Sequence, residues 1–150
     1  MEETTLYVDT SVLVAAFFNE PQQATALALL RRPEWSQVLA SDWTLAEFAC
    51  AVHAKELRGQ VTGPVAQAVR QTLDSLIAKN ALQKVAVTRD DYAFVQGRVP
   101  QTEVLVRGAD ALHLAVAERV GVTHFASLDR TQRIAALSWL VGVKCVPEVC

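Results

Sequence analysis

Residues 6–11 of this chain read Leu6-Tyr7-Val8-Asp9-Thr10-Ser11, and this stretch decides the fold. Three residues typical of a buried strand end at an aspartate, and an apolar helical pattern follows at once over residues 12–18. A strand that passes directly into a helix is typical of α/β proteins, in which ligands bind at the carboxyl ends of strands. Asp9 is therefore either a helix cap or the first residue of a site.

The composition indicates a compact globular protein. Of 150 residues, 51% are hydrophobic and 20% are charged, with a formal net charge of -2. This length predicts one domain, residues 1–150, that is large enough to bury a core. No overall basic charge indicates a nucleic-acid partner, although a local basic strip would be enough to bind one.

The cysteines and the N-terminus favour a cytoplasmic protein. Cys50, Cys145 and Cys150 are odd in number and have no C-x-x-C spacing, so neither a disulfide framework nor a zinc site is indicated. The first five residues are acidic where a signal peptide is basic. No apolar run reaches the roughly 20 residues that span a bilayer, so we expect no membrane association.

Apolar strand patterns alternate with helical patterns along the whole chain. Strands are predicted at residues 6–8, 38–40, 85–87, 122–126 and 143–146. Helices are predicted at residues 12–18, 22–32, 45–57, 65–79, 89–98, 109–120 and 131–140. This order predicts an α/β fold of three layers, α/β/α, with a mostly parallel sheet of about four to five strands.

Four acidic residues fall at comparable places in this predicted order. Asp9 follows the first strand, and Asp129 follows the strand that ends at Ala126. Glu47 and Asp110 each lie in the first turn of a predicted helix. Strand exits and several helix starts collect at one edge of such a sheet, so we expect these carboxylates to meet.

Each acid taken alone also has a structural explanation. Thr44-Leu45-Ala46-Glu47 reads as a capping box, with Glu47 reaching back to the cap amide. Asp9 and Asp129 stand at helix-cap positions, and Asp110 complements the positive end of its helix. A single one of these residues is therefore no sign of chemistry.

As a group the acids indicate a metal site. Clustered carboxylates repel one another in a partly dry cleft unless a cation lies between them. Oxygen ligands suit Mg²⁺ or Mn²⁺, and the sequence offers no competing histidine and cysteine set for zinc. Such a site can orient water and stabilise a phosphoryl transition state.

Four motifs match a known family. Val8-Asp9-Thr10-Ser11-Val12-Leu13 resembles the opening motif of PIN domains, and Thr44-Leu45-Ala46-Glu47 resembles their second acidic motif. Residues 108–115 resemble the third motif, and Ser127-Leu128-Asp129 is similar to the fourth, which is usually Thr-x-Asp. The motifs follow in register over essentially the whole chain. Its compact length resembles that of VapC-type toxins from prokaryotic toxin–antitoxin pairs.

The resemblance implies a PIN-like domain that is a Mg²⁺- or Mn²⁺-dependent endoribonuclease. It implies cleavage of single-stranded or loop RNA such as transfer RNA, a homodimer, and a small antitoxin whose tail covers the active-site groove. By the same resemblance, Asp9 and Asp110 are direct metal ligands, and Glu47 and Asp129 complete the pocket through water or a second metal. Ser11 and Ser127 do not bind the metal in this assignment, and each holds a metal ligand or a water in place.

Basic residues and a histidine lie close to these motifs. Arg107 precedes Asp110, and Arg130 and Arg133 follow Asp129, so these three arginines can contact phosphates. For Arg130 and Arg133 an ordinary solvated helix position is equally open. His113 can polarise a phosphate, but a packed, hydrogen-bonded histidine is the favoured interpretation.

Three other functions remain open from the sequence. A solitary PIN-domain ribonuclease has the same site without an antitoxin. A receiver-type phosphoacceptor domain needs paired acids after its first strand and a late strand-end lysine. Here Asp9 stands alone, and Lys144 precedes its strand core. A non-catalytic binding module has no positive support, because all four acids are present.

Overall fold

The computed structural model describes residues 3–148. Cys150 and the first two residues of the acidic N-terminus lie outside the described residues. The described chain forms five strands and seven α-helices, with one 3₁₀ helix at Val99–Gln101. Their bounds are β1 Thr5–Val8, α1 Thr10–Phe17, α2 Gln23–Leu30, β2 Gln37–Ser41, α3 Asp42–Leu57, α4 Gly63–Ala78, β3 Gln83–Val85, α5 Arg89–Arg98, α6 Gly108–Val120, β4 His124–Ala126, α7 Arg130–Trp139 and β5 Lys144–Val146.

The five strands form one parallel sheet in the order β3-β2-β1-β4-β5. Leu6 pairs with Val38 on one side of β1, and Tyr7 pairs with Phe125 on the other side. The chain winds from β1 towards β3 and then crosses back to β4, so the direction of winding reverses between β1 and β4. A crevice opens at such a switch point, outside the carboxyl ends of the strands.

Alternation along β1 divides the core between the two faces of the sheet. Leu6 and Val8 lie in the core cluster that also contains buried residues of α1, α2, α3 and α4. Tyr7 lies in the opposite cluster, with buried residues of α6 and α7 and partly buried residues of α5. The three-layer α/β/α fold predicted from the sequence is therefore confirmed. No helix between residues 3 and 148 is long and apolar enough to cross a membrane.

The start of α3 corrects the prediction for the second acidic motif. The helix begins at Asp42, because the Ser41 hydroxyl accepts from the Thr44 amide at 3.1 Å and the Thr44 hydroxyl accepts from the Ser41 amide at 3.2 Å. The capping box therefore joins Ser41 and Thr44, and the predicted box of Thr44 with Glu47 is wrong. Ser41 ends β2 and caps the next helix without a loop, which places Glu47 in the second turn.

Replacement of Phe125 by alanine is expected to lower the free energy of unfolding by about 3–5 kcal/mol. Phe125 is fully buried in β4 and stacks on Tyr7 with ring centroids 5.5 Å apart. The matched control is Leu137→Ala on α7, where the side chain is 57% exposed and a change within about 0.5 kcal/mol is expected. Urea unfolding followed by circular dichroism measures both, and equal losses would contradict the assigned core.

Candidate active site

The acidic residues come from all three layers and lie around the switch point. Asp9 leaves the end of β1, and Asp129 follows the end of β4 by three residues. Glu47 arrives from α3 on one face of the sheet, and Asp110 arrives from the first turn of α6 on the other. The negative charges of Asp129 and Glu47 both act on Asp110, so these three carboxylates are close enough to influence one another.

Asp9 is the most deeply buried of these carboxylates, with 5% of its surface exposed. Its Oδ1 atom accepts hydrogen bonds from the Ser11 amide at 3.1 Å and the Ser11 hydroxyl at 2.5 Å. Burial raises the pKa of Asp9, and the nearby His113 together with hydrogen bonds from Ser11 and Ser127 offsets only part of this rise. Asp9 caps α1, as one of the two interpretations from the sequence required.

Two serine hydroxyls connect the start of α1 to the loop after β4. The Ser11 hydroxyl accepts from the Leu128 amide at 3.0 Å, and it lies 3.5 Å from the Ser127 hydroxyl. The Ser127 hydroxyl accepts from the Asp129 amide at 3.0 Å. The backbone around Asp129 is thereby held against the residue that orients the carboxylate of Asp9.

Asp110 and Asp129 lie nearer the surface and repel each other. Asp110 is half-buried, and its pKa is raised by burial first and by the charge of Asp129 second. Asp129 is exposed and caps α7, because its Oδ1 accepts from the Thr131 amide at 2.8 Å. Gln132 is buried and donates to the Asp110 carbonyl at 3.0 Å, which ties α7 to the start of α6.

Glu47 is held by two donors on one oxygen atom. Its Oε1 accepts from the Thr10 hydroxyl at 2.7 Å and from His113 Nε2 at 2.5 Å. Burial raises the pKa of Glu47, but the hydrogen bonds from His113 and Thr10 outweigh this effect, so the pKa lies below its ordinary value. Glu47 is therefore ionised, and none of these contacts is with a helix-cap amide.

The sequence did not indicate the hydrogen-bond network beneath Glu47. His113 is 2% exposed, and its Nδ1 lies 2.8 Å from the Tyr7 hydroxyl and 3.4 Å from the Thr44 hydroxyl. The interpretation of His113 as a packed, hydrogen-bonded histidine is confirmed. The position of His113, one helical turn after Asp110, was the only signal available, because Tyr7 in a strand reads as ordinary core.

The three arginines differ in their surroundings. Arg107 and Arg130 are exposed at the starts of α6 and α7, and the positive charge of Arg107 acts to lower the pKa of Asp110. Arg133 is partly buried and donates through Nη1 to the Ser127 carbonyl at 2.9 Å. Arg133 is thus no ordinary solvated position, since it braces the turn after β4. Contact of these arginines with phosphate stays a prediction.

An open cleft of about 390 Å³ lies beside the acids. It is lined by Thr10, Ser11, Val14, Ala15, Glu20, Gln22, Leu128 and Asp129. Lys55 Nζ lies 2.7 Å from Glu20 Oε1, and this ion pair neutralises an acid at the rim of the cleft. A larger hollow of about 540 Å³ lies at the opposite edge of the sheet, near Gly121 and Gly142. Of these two hollows, only the cleft of about 390 Å³ has one of the four acids, Asp129, in its lining.

The carboxylates form a loose set of metal donors. Among residues 3–148, no three His, Cys, Asp or Glu side chains are grouped closely enough to hold one metal ion. Mg²⁺ is usually bound by one or two carboxylates and keeps several of its waters. The all-oxygen donor set and the raised pKa values of Asp9 and Asp110 fit a hard cation bound in that manner.

Comparison with known proteins agrees with this geometry. A family model described as PIN domain matches residues 6–137. The chain belongs to the PIN domain family. No curated protein sequence matches it at a significant level.

Several solved structures share the fold. The VapC20 toxin of Mycobacterium tuberculosis, described as cleaving the sarcin–ricin loop, is 20% identical, with a TM-score of 0.68 over 93% of this chain and 98% of that chain. FitAcB from Neisseria gonorrhoeae is 18% identical, with a TM-score of 0.68 over 93% and 95% of the two chains. A toxin–antitoxin complex from Klebsiella pneumoniae is 16% identical, with a TM-score of 0.61 over 96% and 99%.

The strand order excludes the receiver-type alternative. Receiver domains have the flavodoxin-like strand order 2-1-3-4-5. In this PIN domain the order is 3-2-1-4-5, and the winding reverses between β1 and β4. The residues after β1 and β4 therefore face the crevice.

Asp9→Asn is expected to stabilise the metal-free protein at neutral pH. Asparagine keeps an acceptor for the Ser11 amide but carries no charge that burial can penalise. Because the pKa of Asp9 in the folded state lies above its ordinary value of 3.8, ionisation of Asp9 favours the unfolded chain. The advantage of the variant should therefore vanish below pH 3.8 and grow as the pH rises through the folded-state pKa.

Urea unfolding at a series of pH values measures this difference. Asp74→Asn is the matched control, because Asp74 is an exposed aspartate on α4. A variant that is less stable than the parent at neutral pH, or a difference independent of pH, would contradict the burial cost assigned to Asp9.

Proposed function

We propose that this PIN domain is a Mg²⁺- or Mn²⁺-dependent endoribonuclease that acts as the toxin of a VapBC-type toxin–antitoxin pair. The observation that carries the proposal is the placement of Asp9, Glu47, Asp110 and Asp129 around the switch point of the sheet, where the charges of Asp129 and Glu47 both act on Asp110. The fold adds support, because it is shared with a toxin described as cleaving the sarcin–ricin loop and with toxin–antitoxin complexes.

The proposed roles of the acids follow from their burial. Asp9 and Asp110 hold the cation directly, since both have raised pKa values that a positive charge would bring down. Glu47 and Asp129 complete the pocket through water or a second metal, since the donors to Glu47 keep it ionised and Asp129 is exposed to solvent. When bound, a divalent cation acidifies water and offsets the charge that develops on a phosphodiester during hydrolysis.

The hydroxyls and arginines have supporting roles in the proposal. Ser11 orients Asp9, and Ser127 holds the backbone at Asp129, so both serines fix the donors before substrate arrives. Arg107 and Arg130 are exposed beside the acids and offer positive charge to RNA phosphates. Arg133 contributes to the same rim while bracing Ser127.

The substrate and partners are proposed from the same site. The open cleft that Asp129 lines, together with Thr10 and Ser11, suits single-stranded or loop RNA, including transfer RNA. A small antitoxin is expected to place its tail over this cleft and block it. We further propose a homodimer that works in the cytoplasm, where its RNA target and antitoxin are made.

Asp9→Asn and Asp110→Asn are each expected to abolish metal-dependent RNA cleavage and to leave the fold intact. Each change removes a charged donor for the cation while preserving side-chain volume. Cleavage of a labelled single-stranded RNA is measured with EDTA, and again after Mg²⁺ or Mn²⁺ is restored. Asp74→Asn, purified in parallel, should cleave at the parent rate.

Full cleavage by Asp9→Asn in preparations free of contaminating nuclease would overturn the site assignment. Binding of RNA without cleavage by the parent protein, at any metal concentration, would instead identify a non-catalytic binding module. Cleavage that is unaffected by EDTA would remove the metal from the proposal while leaving a ribonuclease.

Expression of the parent protein alone is expected to arrest bacterial growth, and Asp9→Asn should relieve the arrest. Co-expression of a short neighbouring gene whose product has a DNA-binding pattern should also restore growth, because an antitoxin covers the cleft. Growth curves with and without the neighbour measure both effects. RNA cleavage without growth arrest, and without such a neighbour, would indicate a solitary PIN-domain ribonuclease.

A further inference from the structure

A buried chain of hydrogen bonds runs from the core of the sheet to the acidic cluster. The Tyr7 hydroxyl lies 2.8 Å from the Ser41 hydroxyl and 2.8 Å from His113 Nδ1. The other ring nitrogen, His113 Nε2, lies 2.5 Å from Glu47 Oε1. Tyr7 is fully buried and His113 is 2% exposed, so the chain is shielded from water up to Glu47.

The chemistry of the end groups sets the direction of each hydrogen bond. The ionised Glu47 carboxylate has no proton to give, so His113 Nε2 must donate. When His113 is neutral, the second nitrogen, Nδ1, is an acceptor and the Tyr7 hydroxyl donates to it; a protonated His113 would instead donate from Nδ1 to the Tyr7 oxygen. The Tyr7 oxygen in turn accepts from Ser41. Tyr7 can serve as this donor because burial raises its pKa and keeps the phenol protonated.

Both protein hydrogen bonds to the Glu47 carboxylate fall on one of its oxygens. Oε1 receives Thr10 at 2.7 Å and His113 at 2.5 Å, whereas residues 3–148 give no hydrogen bond to Oε2. The Glu47 side chain is 28% exposed. Oε1 is therefore held by the protein, and Oε2 is left for water or a cation.

We propose that Tyr7 and His113 are positioning residues. The Tyr7 hydroxyl donates to Nδ1 of a neutral His113 and, together with the Glu47 carboxylate, selects the Nε2–H tautomer, so that the imidazole orients Glu47. This inference rests on the proposed function only in giving Glu47 a place in the acidic cluster. A purely structural role is the alternative, in which the buried polar groups satisfy one another and stabilise the fold without any effect on Glu47.

The tautomer can be measured without any enzymatic activity. Nitrogen-15 NMR of the metal-free protein should show His113 protonated at Nε2 and unprotonated at Nδ1. Glu47→Gln alone should keep the proton on Nε2, because Tyr7 still donates to Nδ1, whereas Tyr7→Phe in the Glu47→Gln background should produce a mixture of tautomers. Tyr92→Phe is the matched control, because Tyr92 is 53% exposed on α5. A proton on Nδ1 in the parent, or an unchanged tautomer when Tyr7→Phe is added to Glu47→Gln, would overturn the proposal.

The effect on the site is measured by variants that keep the fold. Tyr7→Phe and His113→Leu should each lower Mn²⁺ affinity and RNA cleavage by about 10–100-fold, as loss of a partner behind a metal ligand does. His113→Gln should recover most of the loss, because a glutamine amide can donate at one end and accept at the other. His53→Leu is the exposed histidine control and should match the parent.

A double-mutant cycle separates positioning from stability. In a Glu47→Gln background, His113→Leu should cause little further loss of Mn²⁺ affinity or cleavage, since His113 acts through Glu47. Additive losses would overturn the proposal and indicate a structural role. Thermal unfolding identifies any variant that fails to fold. If His113→Leu fails to fold, Tyr7→Phe and His113→Gln are used in the cycle instead.

The same measurements distinguish this inference from the proposed function. A parent protein that cleaves no RNA refutes the nuclease assignment, while the NMR tautomer and Mn²⁺ titration still decide the role of His113. A parent that cleaves RNA, with Tyr7→Phe and His113→Leu as active as the parent, refutes only the positioning role.

Discussion

The Asp9 carboxylate is buried at the carboxyl end of the central strand. Burying this charge costs free energy, and the neighbouring groups of the site offset part of that cost. β1 lies between β2 and β4, so neither side of Asp9 opens directly to solvent. The amide end of α1 and the Ser11 hydroxyl supply its hydrogen bonds. These contacts reduce the free-energy cost of burying the Asp9 charge but do not remove that cost. The raised pKa of Asp9 reflects the part that remains.

The other acids differ in how their surroundings shift their pKa values. Asp110 has a raised pKa because it is buried beside Asp129 and Glu47, whereas Glu47 has a lowered pKa because Thr10 and His113 donate to it. Neighbouring carboxylates whose pKa values move in opposite directions are typical of sites that divide chemical roles. Crowded acids are poor for stability, and proteins keep such crowding where function requires it.

The parallel sheet explains how residues distant in sequence reach one site. Strand ends supply Asp9 and the Ser127 loop, while helices on opposite faces supply Glu47 and Asp110. Identity with the solved relatives is 20% or lower, yet their folds superimpose over nearly the whole chain. The fold persists across such divergence because many combinations of apolar residues can fill the layers of helices and sheet.

The local pattern of the sequence determined the fold class. Short apolar runs such as Leu6–Val8 alternate with helical patterns, and this period is enough to predict a parallel sheet between two layers of helices. It also located Asp9, Asp110 and Asp129, because each directly follows a strand or begins a helix. The start of α3 was misplaced, since Ser41 ends a strand and caps a helix at the same residue, which strand and helix patterns do not reveal.

Only the tertiary structure decided which polar groups act together. Tyr7, Thr10 and His113 look like ordinary strand, cap and helix residues in sequence. His113 contacts both of the others, although Tyr7 and Thr10 lie 106 and 103 positions before it in the chain. Their contact depends on β1 lying against α6 on one face and α3 standing over the strand end on the other. Periodicity reports which face a residue occupies, whereas a hydrogen bond needs a partner at a defined distance and direction, which packing of the layers alone provides.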